Sequence, residues 1–152
     1  MGYTMSKTLS GAIIEVWKGT QALMQQCPQI WYNEVPEFDE DDQLVQLPFI
    51  RFVTPTTTPE WNFESATGGG YHEFTRAVFT CYATSSEQAD DIIATIKATL
   101  DWHNIMQVAQ SQVVGAMRVE DRSGSDEVRD RQGNFVPNSE VEYQFMIVKG
   151  MP

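Results

Sequence analysis

Two histidines, two cysteines, a run of acids and a triple glycine are the residues of this chain whose types could support chemistry. His72 and His103 each stand without a second His, Cys or Asp at metal-ligand spacing, which argues against zinc and leaves surface or capping roles. A thiol nucleophile would pair Cys81 with His72. In a strand, however, odd and even positions point to opposite faces, so those two side chains do not meet. Cys27 and Cys81 form neither a CxxC pair nor a disulfide scaffold, and both are expected to be reduced, with Cys81 in the core. Gly68-Gly69-Gly70 is not followed by a Lys or Ser opening a helix, so it does not form a phosphate cradle. In Glu37 to Asp42 (EFDEDD) five of six residues are acidic, but the following Gln43-Leu44-Val45 supplies neither the glycine nor the spaced glutamate of a calcium loop. Glu37, Asp39, Glu40, Asp41 and Asp42 are therefore expected to form a solvated turn of mutually repelling charges. No GxSxG, paired helical carboxylates or glycine-rich βα turn is found, so no catalytic residue, cofactor or metal is expected.

The elements that position these residues are organised around Tyr71 to Leu100. Its first half alternates, with Ala77, Phe79, Cys81 and Ala83 on one side and Phe74, Arg76, Val78, Thr80 and Tyr82 on the other. Its second half changes period: Ala89, Ile92, Ile93, Ile96 and Leu100 make one apolar helical stripe, with Asp90, Asp91, Thr95 and Lys97 off it. Ser85 and Gln88 read as a capping box, and Asp90 and Asp91 sit near the positive end of the helix dipole. Neither element can bury its apolar side alone, so the helix must lie on a sheet that contains the strand.

Before this unit, Leu9, Ile13, Val16, Trp17, Thr20, Leu23 and Met24 recur at helical spacing, predicting one helix from about Lys7 to Gln26, ended by Pro28. Short strands are predicted at Gln29 to Val35 and Leu44 to Val53, with Pro48 placing the second at an edge or a bulge. The arm at about 54–70 is stiff at Pro55 and Pro59 and loose at its glycines. Trp61 and Phe63 on it have two readings, burial in a strand pairing back onto Tyr71 to Cys81, or exposure as docking anchors. After the helix, Val113 to Asp121 is predicted as a strand with Val113, Met117 and Val119 on one face. A long loop at about 122–140 turns at Gly133-Asn134; its part from Ser123 to Asn134 carries five charges of mixed sign and reads as a solvated or interface loop. Val141, Tyr143, Phe145 and Ile147 then alternate with Glu142, Gln144 and Met146 in a closing strand. The order α-β-β-β-α-β-β predicts a single α+β domain over 1–152: an antiparallel or mixed sheet with two amphipathic helices on one face.

The chain has 152 residues, enough for one core. At 41% hydrophobic and 11% aromatic it is too apolar for a disordered chain, even with a formal charge of −11. Its ten basic residues are scattered, which excludes a clustered grip on nucleic-acid phosphates. Lys7, Glu15 and Lys18 interrupt the early apolar run, so neither a signal peptide nor a membrane span is expected.

Taken in order, the opening helix, IWYNEVP, PFIRF after an acidic turn, FTRAVFTCYA running into SSEQADDIIATIKATL, and RDRQGNFVPNSEVEYQFMIV resemble the tail-terminator, or tail-completion, family of long-tailed bacteriophages and phage-like gene transfer agents. Asp130, Gly133 and the run Val141 to Val148 stand where members of that family carry an Asp and Gly turn before a closing strand of alternating aromatics. The resemblance implies a virion protein of the tail–neck region, assembled in the host cytoplasm. Six copies would form a ring that caps the tail tube, meets a head-connector or neck protein, and lets DNA pass without specific binding. Trp61, Phe63 and Tyr71 are the expected protein interface, and the acidic turn is expected to face solvent or the channel. Two other readings are a head-completion protein of the same assembly and a small α+β enzyme or ligand-binding module, the latter favoured by a deep pocket with perturbed ionisable groups.

Overall fold

The computed structural model describes residues 9–36, 46–54, 57–60, 71–101, 106–108, 111–123, 128–130 and 132–149. Among the described residues, three helices, α1 (Leu9–Lys18), α2 (Gln21–Gln26) and α3 (Ser86–Leu100), accompany seven strands: β1 (Ile30–Tyr32), β2 (Phe49–Val53), β3 (Thr57–Glu60), β4 (Tyr71–Tyr82), β5 (Met106–Val108), β6 (Ser111–Ser123) and β7 (Asn138–Lys149). The strands form one mixed sheet in the order β1-β2-β4-β7-β6-β5, with β3 pairing to β4 beside β2. Only β1 with β2 is parallel among the described pairs.

The long strand and its helix are as the sequence pattern predicts. Ala77, Phe79 and Cys81 of β4 face inward with Val141, Tyr143, Phe145 and Ile147 of β7, and α3 covers them with Ala89, Ile92, Ile93, Ile96 and Leu100. A row of rings crosses four strands beneath the helices. Tyr32 lies 5.1 Å from Phe52, Phe52 stacks on Phe79 at 5.4 Å, Phe79 meets Tyr143 edge-on at 6.2 Å, and Tyr143 lies 6.2 Å from Phe145. The cap of α3 differs in one detail from the capping box. Ser85 Oγ accepts from Gln88 N at 3.1 Å, but the Gln88 side chain reaches one residue further back, accepting from Thr84 N at 2.9 Å and Thr84 Oγ1 at 2.8 Å.

The predicted first helix is instead two. Gly19 still bonds back to Glu15 O, but Thr20 is extended and spends its hydroxyl on Val16 O at 2.7 Å, leaving it no cap to offer α2. A Cβ at Gly19 would sit 3.3 Å from Glu15 O, so the break is also where a side chain fits poorly. The Trp17 indole donates to Cys27 O at 2.8 Å and ties the end of α2 back to α1. The predicted strand at 29–35 shortens to Ile30–Tyr32 because Asn33 turns into the left-handed region at φ 66. Pro48 lies just before β2, outside its ladder.

β6 is the element whose side-chain order the sequence misleads. Register shifts between Val113 and Gly115 and between Arg118 and Glu120 change which residues face inward. Ala116 is buried opposite Phe145, whereas Met117 and Val119 are exposed. On the arm, Thr57–Glu60 pairs antiparallel to residues 72–75 of β4; Trp61 and Phe63 lie outside the described residues.

This layering predicts unequal costs of truncation. Phe79→Ala should lower the urea unfolding free energy by about 3–5 kcal/mol, as for buried aromatics generally, whereas Ser85→Ala should cost about 1 kcal/mol through its lost cap. Equal losses for the two would contradict a core centred on Phe79.

Candidate interaction surface

Among the described residues, the helices leave the other face of the sheet uncovered. There β4 and β7 present Arg76, Val78, Tyr82, Glu140, Glu142, Gln144 and Met146, and β6 adds Met117, Glu120 and Arg122. Charges on this face pair across strands. Arg76 meets Glu142 at 3.0 Å, and Arg122 bridges Glu140 and Glu120. Such half-exposed pairs contribute little stability and chiefly set a polar strip in which Arg76 and Arg122 face Glu120, Glu140 and Glu142, a net charge of −1.

One end of the open face is built up by a small hairpin that precedes β7. Val136 N donates to Val128 O at 2.7 Å, Asp130 N to Asn134 O at 2.9 Å and Gly133 N to Asp130 O at 3.0 Å, with Gly133 at φ +82. Asp130 Oδ1 accepts from the backbone N–H groups of Gln132 at 3.0 Å and Asn134 at 2.8 Å, and Arg129 donates to Gly133 O at 3.1 Å. The hairpin is pinned to the end of β4 by Ala83 N donating to Pro137 O at 2.9 Å. Between it and the sheet runs a groove of about 550 Å³. Its walls are Leu47, Phe49, Tyr82 and Val136, with the Phe49 and Tyr82 rings 5.2 Å apart, and its charges are Arg51, Arg129 and Asp130. Phe135, next to Val136, is 47% exposed.

On the helix side, polar residues of α3 spaced like its apolar stripe anchor it to the sheet. Asp90 accepts from Ser139 Oγ at 2.6 Å and Ser123 Oγ at 3.0 Å, Lys97 pairs with Asp121, and Asp101 accepts from the Tyr143 hydroxyl at 2.5 Å with Arg118 at 3.8 Å. Desolvation, then the hydrogen bond to Asp101, pushes the Tyr143 phenol well above its ordinary range, so it stays a donor. Burial pushes the Cys27 thiol up to about 12 and raises that of Cys81 further. Both cysteines are free and buried, and both are protonated at neutral pH, so neither is a nucleophile. Among the described residues no three His, Cys, Asp or Glu side chains converge as metal ligands, and no helix is long and apolar enough to cross a membrane.

Tyr71 opens β4, paired with Lys149 at the far end of the sheet from the groove. Glu37, Asp39, Glu40, Asp41, Asp42 and His103 lie outside the described residues. His72, on β4, pairs with Val148 of β7. Sequence reasoning passed over Phe135; its signal was a lone large apolar residue in a polar turn, RQGNFVP.

No family model matches this sequence, and no curated protein is similar to it. Among solved structures, a chain of the virion of a native gene transfer agent (GTA) particle superposes with a TM-score of 0.70 at 10% identity, covering 97% of this chain and 100% of that one. At that identity the likeness is one of fold. It defines the class of architecture, an α+β sheet domain shared from end to end with a virion component.

The anchor on α3 predicts a pH dependence. The Lys97 hydrogen bond, ahead of other effects, lowers the Asp121 carboxyl below its ordinary value. A depressed carboxyl stabilises above its unfolded pKa and loses that contribution as pH falls through the folded value. Because Asp121 is largely exposed, Asp121→Asn should cost less than about 1 kcal/mol at pH 7. The difference from wild type in urea melts should shrink as pH falls through and below the ordinary carboxylate range.

Proposed function

We propose that this chain is a structural protein of a phage-like virion, that it forms a ring capping the tail tube and joining it to the head connector or neck, and that it performs no catalysis. The observation that supports this reading most is the end-to-end likeness of fold to a chain of the GTA virion. The chemistry is consistent with it. The described thiols are protonated and buried, the Tyr143 phenol is committed to Asp101, and the open face carries paired charges rather than a converging site. A formal charge of −11 suits a ring around a DNA path, since acidic walls repel phosphate and let the duplex pass without being held. Localisation in the tail–neck region and partnership with a tube protein belong to the same proposal.

Purified protein at micromolar concentration, alone or on tail tubes, should give hexameric rings in electron micrographs and in mass measurements. Strict monomers under both conditions would overturn the reading. The proposal extends to the arm at 54–70 as a docking element. Trp61→Ala combined with Phe63→Ala should weaken tube binding while changing the stability of the isolated domain by less than about 0.5 kcal/mol, as for surface sites. Unfolding of that double variant would assign both aromatics to the core.

A further inference from the structure

We propose that the groove between hairpin and sheet is a docking site for an extended segment of a different protein, one that carries a large apolar side chain next to a carboxylate. The groove differs from the rest of the chain in its charge. Arg51 and Arg129 against Asp130 give it a net charge of +1, on a chain of formal charge −11. Asp130 is engaged within the hairpin, since its Oδ1 accepts from the N–H groups of Gln132 and Asn134 and holds the turn. Arg51 is half-buried, and its Nε donates to the carbonyl oxygen of Asn33 at 2.5 Å, which orients the guanidinium. Among the described residues no carboxylate comes within ion-pair distance of it. Trp31 is the register partner of Arg51 on the parallel strand β1, so the two side chains stand together on one face. The indole Nε1 of Trp31 is buried and has no acceptor among the described residues. A guanidinium without a carboxylate, beside an N–H without an acceptor, leaves this end of the groove short of negative charge, and an anionic side chain supplies it.

The apolar walls set the rest of the ligand. Phe49 and Tyr82, with rings 5.2 Å apart, line the groove together with Leu47 and Val136. Its volume of about 550 Å³ is in the range of pockets that seat small ligands, so it takes a few side chains rather than a broad surface. Phe135 adds to the rim. It is the bridge partner of Arg129, and directly paired residues of neighbouring strands point the same way, so its ring, 47% exposed, stands beside a groove-lining side chain. Aromatic and arginine groups around an apolar recess are the composition of binding hot spots. The occupant is a different protein because two copies at −11 repel each other, whereas a partner with a carboxylate on its docking segment need not be acidic as a whole. That this partner is a neighbouring virion component rests on the reading above; the chemistry of the groove does not. The hairpin is held by its own hydrogen bonds before docking, so little conformational freedom is lost when the segment is seated.

The test screens a library of random heptapeptides against the immobilised full chain, with Leu47→Glu as counter-selection and circular dichroism as the check on folding. Recovered peptides should place Asp or Glu next to Phe, Tyr, Trp or Leu. By calorimetry they should bind wild type at least about tenfold more tightly than Leu47→Glu or Arg51→Gln, as for loss of a hot-spot contact. In Arg51→Glu the preference should reverse, so that a recovered peptide remade with Lys in place of its acid binds this variant more tightly than it binds wild type. Should Leu47→Glu lose its native spectrum, the Arg51 variants decide. Peptides with no acid, or peptides whose affinity none of these variants changes, would overturn the proposal, as would a library that yields no binder. Binding that emerges only when Glu37, Asp39, Glu40, Asp41 and Asp42 are all made amides would assign the groove to the chain's own acidic run, against the proposal. Self-association that is lost in Leu47→Glu would assign it to a second copy, again against the proposal. Hexamers with a silent groove would overturn this inference and leave the ring reading intact; a monomeric wild type that binds the peptides would do the reverse.

Discussion

The structure depends on the antiparallel ladder between β4 and β7. It pairs every residue from Tyr71 with Lys149 to Tyr82 with Asn138, without a register shift. Side chains in such a ladder alternate with period two, so a one-residue slip of β7 against β4 would turn Tyr143 and Phe145 out to solvent and away from Phe79. The burial of that aromatic row holds the register, and the register in turn decides where everything else attaches. β2 and β3 share the free edge of β4, β6 takes the free edge of β7, and α3 leaves β4 through Ala83, Thr84 and Ser85 to lie back on the buried face.

One consequence is a strict division of labour between the two faces. The helix face is dry and holds the ring row, both thiols and the Tyr143 hydroxyl, which is satisfied by Asp101 at 2.5 Å. Reactive groups placed there serve packing, because desolvation keeps thiols and phenols protonated. The sheet's other face has no helix over it among the described elements, and its charges pair between strands, Arg76 with Glu142 and Arg122 with Glu140, and within β6, Arg122 with Glu120, leaving it polar without a concentrated field. Where the hairpin of residues 128–136 folds over this face, it creates both the groove and the exposed phenyl ring. Recognition by shape, rather than reaction, is what such a surface offers.

The acidic balance bears on the same point. In the described structure most guanidinium and ammonium groups on the sheet and α3 already meet carboxylates or carbonyl oxygens, such as Arg76 with Glu142, Lys97 with Asp121 and Arg129 with Gly133 O. The surplus of carboxylates over bases is therefore not offset by a free basic stripe on these elements. A surface of this kind attracts cationic partner patches and repels phosphate.

Period alone determined the alternation of β4 and β7, the apolar stripe of α3 and the α+β class. Each of those elements buries one whole side, so local pattern and global fold agree. Ser85 as a helix cap and Gly133 as a turn were legible for the same reason: their conformations are set by neighbours a few residues away. What tertiary structure decided lies where distant chain segments compete. Thr20 turns its hydroxyl back to Val16 and Trp17 reaches Cys27, splitting a stripe that reads as one helix. Two bulges in β6 send Met117 and Val119 outward, an outcome that depends on β7 and that no alternation within β6 could disclose. The groove was illegible for a stronger reason: Leu47, Phe49, Tyr82 and Val136 come from three separate stretches and meet only when the sheet forms. Sequence spacing sets the faces of single elements, but a concave surface made by several elements exists only in their packing.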